Sequence, residues 1–244
     1  MIRRIAISAK PDQAIIVRSF ALPYLTLTDG TVEAIKWLAL VLMTFDHVNK
    51  YLLHDTVTLI FDAGRLSAPL FAFVLAYNLA RPETLTRGVY PRVLKRLAIF
   101  GAVATVPFIA LGGLVAGWWP LNIMGMLLVA VCMMYLVDQG GFVRWVLALL
   151  LFLVGGVLVE YWWPALLMCL AAWFYCKKPS WLALIMWVFS TTLLFLINHN
   201  LWALAAFPVI FAAPHIHLNM PRLRHVFYAY YPAHLAVLWA LSRL

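Results

Sequence analysis

Apolar runs of spanning length recur from residue 32 to the C-terminus, with only short breaks between them. A backbone in lipid has no water to bond, so only helices or closed barrels can satisfy it there. Runs of this length suit helices, and the dyad alternation of a transmembrane barrel is not visible. Composition agrees: 66% of the residues are hydrophobic, 11% are charged, and the mean hydropathy is +0.94. The chain reads as an all-α polytopic membrane protein. About nine transmembrane helices are expected, at 32–53, 57–80, 97–114, 121–137, 143–159, 162–176, 180–197, 201–213 and 226–243. The eighth is short and contains Pro208.

A net charge of +9 could point to nucleic acid, but where the cations fall argues for topology instead. With the N-terminus inside, Arg3, Arg4, Lys10, Arg18, Arg81, Arg87, Arg92, Lys95, Arg96, Arg144, Lys177, Lys178, Arg222 and Arg224 all lie in inner segments. The outer segments hold only Lys50 and Arg243, while Lys36 and Arg65 lie within spans. Fourteen cations against two is a strong positive-inside bias, and it predicts a cytoplasmic N-terminus and a C-terminus on the opposite side. The tryptophans of Gly117–Pro120 and Glu160–Pro164 fall where an interfacial belt would lie. Residues 1–31 lack the apolar core of a signal peptide and read as a cytoplasmic or interfacial segment before a membrane domain at 32–244. Thr28, Asp29 and Gly30 offer an N-cap to the first long helix. Cys132, Cys169 and Cys176 have no metal or redox spacing and read as packing residues.

Against this background the stretch Phe45–Asn49, FDHVN, stands out. An ionisable group within a span costs about 2.5–3.5 kcal/mol on insertion scales, so Asp46 and His47 need partners or a task. The first two spans form a hairpin turning near Asp55, with Asp46 nine residues before the turn and Arg65 ten after it. His234 lies ten residues from the outer end of the last span. Three polar sites from three helices therefore meet at one depth if the spans pack together. Asp46, Asn49 and Lys50 share a helix face, and His47 is turned about 100° from Asp46. A histidine suits proton transfer near neutrality. Tyr230 and Tyr231 precede His234 by one turn, and Pro232 frees the carbonyl of Tyr228. An Asp46–Arg65 pair could also serve only to staple the hairpin. Asp62 and Asn78 divide evenly between structure and function, and His199 reads as solvated. His215 and His217 are spaced like a metal pair but lack an accompanying acid or cysteine, so no metal is expected.

The second inner loop, Arg81–Arg96, carries Arg81, Arg87, Arg92, Lys95 and Arg96, more than topology requires. Such a cluster holds a polyanionic cofactor or anionic lipid head groups. Lys36 lies about 16 Å from His47 along the helix, at about 1.5 Å per residue, so a nucleotide held by these cations could send a thin arm to the polar cluster.

Three blocks carry a family resemblance: Lys36–Asn49 (KWLALVLMTFDHVN), Ala63–Arg81 (AGRLSAPLFAFVLAYNLAR) and Phe227–Leu238 (FYAYYPAHLAVL). In order and spacing they resemble the TraX family, the pilin N-acetylases of F-type conjugative systems. The middle, roughly 97–220, is similar in hydropathy more than in motif. One departure is Ala68 before Pro69, where the family usually has Phe, which bears on pocket shape. The resemblance implies a multi-pass bacterial inner-membrane acetyltransferase with a periplasmic C-terminus, moving an acetyl group from acetyl-CoA to the N-terminus of processed pilin. It is similar in plan to the wider class of transmembrane acyltransferases. On that reading His47 or His234 is the base, with His47 favoured, or carries an acetyl intermediate. Asp46 anchors Arg65 or orients His234, and Arg65 or Asn49 stabilises the oxyanion, beside Tyr231. Lys36, Asn78, Arg81, Arg87, Arg92, Lys95 and Arg96 hold the donor. A saccharide or lipid acceptor, a non-catalytic pilus assembly factor and a transporter are the alternatives.

Overall fold

The computed structural model describes residues 22–223 and 225–244. Arg3, Arg4, Lys10, Arg18, Arg224 and most of the 1–31 segment lie outside the described residues. Helix α1 (Asp29–Leu52) starts where the Thr28 hydroxyl accepts from the Thr31 N–H at 3.1 Å, the N-cap the sequence implied. The second span is two helices, α2 (Thr58–Gly64) and α3 (Ser67–Ala80). Pro69 has no N–H to give the Arg65 carbonyl, and the helix breaks at Arg65–Leu66. There follow α4 (Val89–Ala110), α5 (Ile123–Gln139), α6 (Phe142–Leu158), α7 (Trp162–Lys177), α8 (Trp181–Thr192) and the one-turn α9 (Phe195–Asn198). Next come α10 (Ala206–Ala212), flanked by 3-10 turns at Trp202–Ala205 and Ala213–His215, and finally α11 (Val226–Leu241).

The nine expected segments are all helical, and besides the breaks in the second and, at Leu193–Leu194, the seventh, two differ in form. The third begins at Val89 rather than 97, because after Gly88 has turned the chain the one potential breaker in the basic stretch, Pro91, falls in the first helical turn, where proline is tolerated. Arg92, Lys95 and Arg96 are therefore on a helix and not in a loop. The eighth is a succession of short pieces, none as long as a regular span. Thr58–Ala80, Val89–Ala110 and Trp181–Asn198 are long and apolar enough to cross a bilayer. The shorter apolar helices around them complete an all-helical membrane protein among the described residues.

Six helices close a ring. α1 packs on α3, α3 on α7, α7 on α5, α5 on α4, α4 on α11, and α11 returns to α1. α6 lies outside against α5 and α7, and α8 against α7. Outward-facing Val143, Leu149 and Val154 of α6 are exposed, as lipid-facing side chains would be. Met126, Met133, Met168, Cys169 and Trp173 fill the inside of the wall. The lead-in is strapped across the helix ends: Leu27 N–H donates to the Tyr77 hydroxyl at 2.9 Å, and the Tyr175 hydroxyl donates to the Pro23 carbonyl at 3.1 Å.

Candidate active site

The hairpin brings Asp46 of α1 and Arg65 into a direct ion pair between carboxylate Oδ1 and Nη2. Gly64 makes this approach possible, since a Cβ there would lie 2.5 Å from the Asp46 Cβ and 2.6 Å from its carboxyl carbon. Two further guanidinium N–H groups are engaged: Nε donates to the Phe61 carbonyl at 3.1 Å and Nη1 to Asn198 Oδ1 at 3.4 Å. Asn200 Nδ2 donates to Asp62 Oδ1 at 2.8 Å, so the segment around His199 is tied to the hairpin while His199 itself is exposed. Asn49 is fully buried, with its amide committed to Val57: it donates to the carbonyl and accepts from the N–H, each at 3.1 Å. Three of the five Arg65 N–H groups and both ends of the Asn49 amide thus take part in building the hairpin that was expected to supply the oxyanion donor.

The two histidines meet across the α1–α11 contact. His47 Nδ1 lies 2.7 Å from His234 Nε2, with the rings parallel to within 3°. His234 Nδ1 lies 3.1 Å from the Tyr230 carbonyl, which can only accept. The neutral His234 thus carries its proton on Nδ1 and accepts at Nε2, so His47 donates from Nδ1 and keeps its lone pair on Nε2. This arrangement leaves His47 Nε2 without a hydrogen-bond partner among the described residues. Tyr231, 5% exposed, sits against both rings, with centroids 6.4 Å from His47 and 5.4 Å from His234.

A cavity of about 530 Å³ lies within the ring of helices, and of the expected catalytic residues Tyr231 lines it while His47, His234, Asp46, Arg65 and Asn49 do not. Its rim is lined by Arg81, Arg87, Arg92, Arg96 and Arg222, its wall by Lys36, Asn78, Leu97 and Tyr228, and its inner end by Met43, Ile123, Met124 and Tyr231. Every expected donor-binding residue lines it except Lys95. On a helix, Val89, Arg92, Val93, Arg96 and Leu97 share one stripe, which faces the cavity, and Lys95 falls outside that stripe and is exposed. Arg81 pairs with Asp29 at 2.7 Å and Arg87 with Glu83 at 2.5 Å. The Arg81 guanidinium holds the Asp29 carboxyl below its usual range. Arg92, Arg96 and Arg222 have no carboxylate partner among the described residues. Lys36 is bonded to Glu33 at 2.5 Å and lies 4.4 Å over the Phe227 ring, while Asn78 donates to the Val74 carbonyl at 2.9 Å.

Sequence reasoning passed over several of these groups. Arg222 counted only towards topology, and nothing but ring closure by α11 brings it to the rim. The turn between α6 and α7 was noted for its tryptophans, yet its Glu160 lies within charge reach of Lys50, Arg65 and Asp46. Burial pushes the Glu160 carboxyl up to about 7, against the pull of Lys50 and Arg65. An acid adjoining the aromatic belt was the available signal. At the start of α5, Asn122 Oδ1 caps the Met124 and Gly125 N–H groups. The Ile123 N–H, with no partner inside the helix, faces the Tyr231 hydroxyl and the Glu160 carboxyl.

His215 and His217 are exposed, and no group of three metal-ligating side chains occurs among the described residues. No curated protein and no solved structure matches the chain. The family model described as TraX protein matches residues 31–242, from the first turn of α1 to just past the end of α11, and the chain belongs to the TraX family.

Proposed function

We propose that this protein is a membrane acetyltransferase that moves an acetyl group from acetyl-CoA to the N-terminal amine of a conjugative pilin. TraX membership supports the association with pilin. The observation that carries the chemistry is one continuous cavity with arginines at its rim and Tyr231, in contact with both histidines, at its inner end. Arginine suits bidentate recognition of phosphates, and the narrowing, increasingly apolar interior suits a pantetheine arm. The residues present fit this donor: Arg92, Arg96 and Arg222 hold phosphates, and Met43 and Tyr231 border the thioester end.

At that end His47 Nε2 takes the proton lost as the amine nitrogen bonds to the thioester carbonyl carbon. The Tyr231 hydroxyl donates to the carbonyl oxygen as negative charge develops there, the role that the resemblance gives to Arg65 or Asn49. As the carbon–sulfur bond breaks, the proton on His47 passes to the departing thiolate. Asp46 and Arg65 hold the hairpin that positions His47. The basic rim faces the cytoplasm of a bacterial inner membrane in this reading, and the C-terminus lies in the periplasm.

The test is the intact mass of a cognate pilin co-expressed with the protein or with its His47→Ala variant. One N-terminal acetyl group, added only by the unaltered protein, is expected. Equal masses would sink the acetyl-transfer reading for pilin and leave a lipid or saccharide acceptor to be tried.

A further inference from the structure

Three consecutive residues in the first turn of α1, Asp29, Gly30 and Thr31, hold two other parts of the chain. Asp29 pairs with Arg81 at 2.7 Å. Thr31, 3% exposed, donates its hydroxyl to the Ile216 carbonyl at 2.6 Å and accepts from the Leu218 N–H at 3.4 Å. Its oxygen also lies 2.8 Å from the Thr28 hydroxyl, which completes the one donor and two acceptor sites of a threonine. Between these side chains Gly30 leaves room for the backbone of the same distant segment. A Cβ there would collide with the Leu218 carbonyl and lie 2.8 Å from the Met220 nitrogen. Residues 216–223 have no regular secondary structure of their own, so these contacts set their course. Pro221, with its fixed φ, is the one residue between Met220 and Arg222, which lines the cavity rim. Ring closure by α11 carries Arg222 to the rim, and the turn at Gly30 and Thr31 holds it there.

We infer that Gly30 and Thr31 are positioning residues for the polyanionic end of the donor, acting through Arg222. The inference rests on the acetyl-transfer reading and adds to it what builds the phosphate-binding rim. A guanidinium recognises phosphate through a planar fork of N–H groups, so its contribution depends on orientation as well as charge. Arg92 and Arg96 are oriented by α4, which carries them. Arg222 stands on an irregular segment, where ordering the chain at the moment of binding would reduce affinity. The Thr31 hydroxyl and the bare Gly30 Cα order that segment beforehand. Arg81, just past α3, and Arg222, just before α11, are thereby referenced to the same three residues of α1.

The experiment uses the purified full chain and calorimetric binding of two probes, coenzyme A and pantetheine, which shares the thiol arm and lacks every phosphate. The unaltered protein should bind coenzyme A more tightly than pantetheine by about tenfold or more. Gly30→Ala and Thr31→Val should each weaken coenzyme A binding by about tenfold, the loss expected of Arg222→Ala, and leave pantetheine binding as it was. Thr31→Ser keeps the hydroxyl and should bind both probes as the unaltered protein does. Combined with Arg222→Ala, either change should cost less than about twofold more, since the interaction that it supports is already gone. In turnover the KM for acetyl-CoA should rise while kcat changes little.

Losses that add in full to that of Arg222→Ala, or that fall equally on pantetheine, would mark a merely structural role and overturn the assignment. Undiminished coenzyme A binding in Thr31→Val would overturn it as well. An unaltered protein with no preference for coenzyme A over pantetheine would instead remove the donor reading beneath it, and the assignment with it, an outcome visible without any variant.

Discussion

His47 and His234, 187 positions apart in the chain, share a hydrogen bond of 2.7 Å, and its direction is set by a third group, the Tyr230 carbonyl. The consequence is an asymmetry between chemically identical side chains. His47→Ala removes the nitrogen that carries the free lone pair and should lower turnover by about 10²–10⁴-fold. His234→Ala removes only its support and should cost less. His234→Gln, whose amide can accept from His47 and also donate, should recover part of the loss. Single-turnover rates at saturating acetyl-CoA would separate the three. Equal loss in His47→Ala and His234→Ala would contradict the relay.

Asp46 and Arg65 are both largely shielded, with side-chain exposures of 12% and 13%. Arg65→Ala leaves the carboxylate unpaired and should destabilise the protein by about 3–5 kcal/mol. Gly64→Ala should do similar damage without touching either charge, because its Cβ would collide with the Asp46 side chain. Thermal unfolding in detergent measures both. An undiminished melting temperature in Gly64→Ala would mean that the hairpin relaxes more freely than its packing indicates.

The depth argument from sequence puts Asp46, Arg65 and His234 at one level, and the structure pairs Asp46 with Arg65 and His234 with His47, the neighbour of Asp46, as residue counting along the helices implies. Direction around each helix was harder to read. Asn49 shares a face with Asp46, yet it is turned into the hairpin because the Val57 backbone beside the turn takes up both ends of its amide. Such backbone demands appear only when the turn is built. Lys95 was similarly grouped with the other cations by proximity in sequence, whereas helical geometry separates it from Arg92 and Arg96. Glu160 and Arg222 reach the site through contacts between distant segments, and no local pattern announces those.

The rim arginines should not contribute equally. Arg92, Arg96 and Arg222 lack carboxylate partners among the described residues, so each should weaken acetyl-CoA binding by about tenfold when changed to Ala, in keeping with a charge-assisted hydrogen bond of about 1.5–3 kcal/mol. Arg81 and Arg87 are paired with Asp29 and Glu83 and should matter less. Lys95→Ala should bind as the unaltered protein does. Calorimetric titration at two salt concentrations would test the ranking, and a Lys95→Ala effect as large as that of Arg96→Ala would refute it.

Glu160 also sets a stability profile. In the fold its carboxyl keeps a proton up to about pH 7, against an ordinary value of 4.5. The folded state therefore binds more protons than the unfolded chain between those values, and stability falls as pH rises from 4.5 to 7. Glu160→Gln should melt a few degrees above the unaltered protein at pH 8 and show little difference at pH 4.5. Identical melting curves at pH 8 would mean that the carboxyl is ionised in the fold at no cost.

The separations within these pairs differ in a way that bears on how the protein is made. Asp46 and Arg65 are 19 residues apart, so the opposite charges can neutralise one another within a single hairpin as it leaves the translocon. His47 must wait for residue 234, on a helix made after the other five of the ring. The nascent chain thus enters the bilayer with its costly charges already matched and its histidine relay still open. A protein truncated before α11 would be insertable and inert.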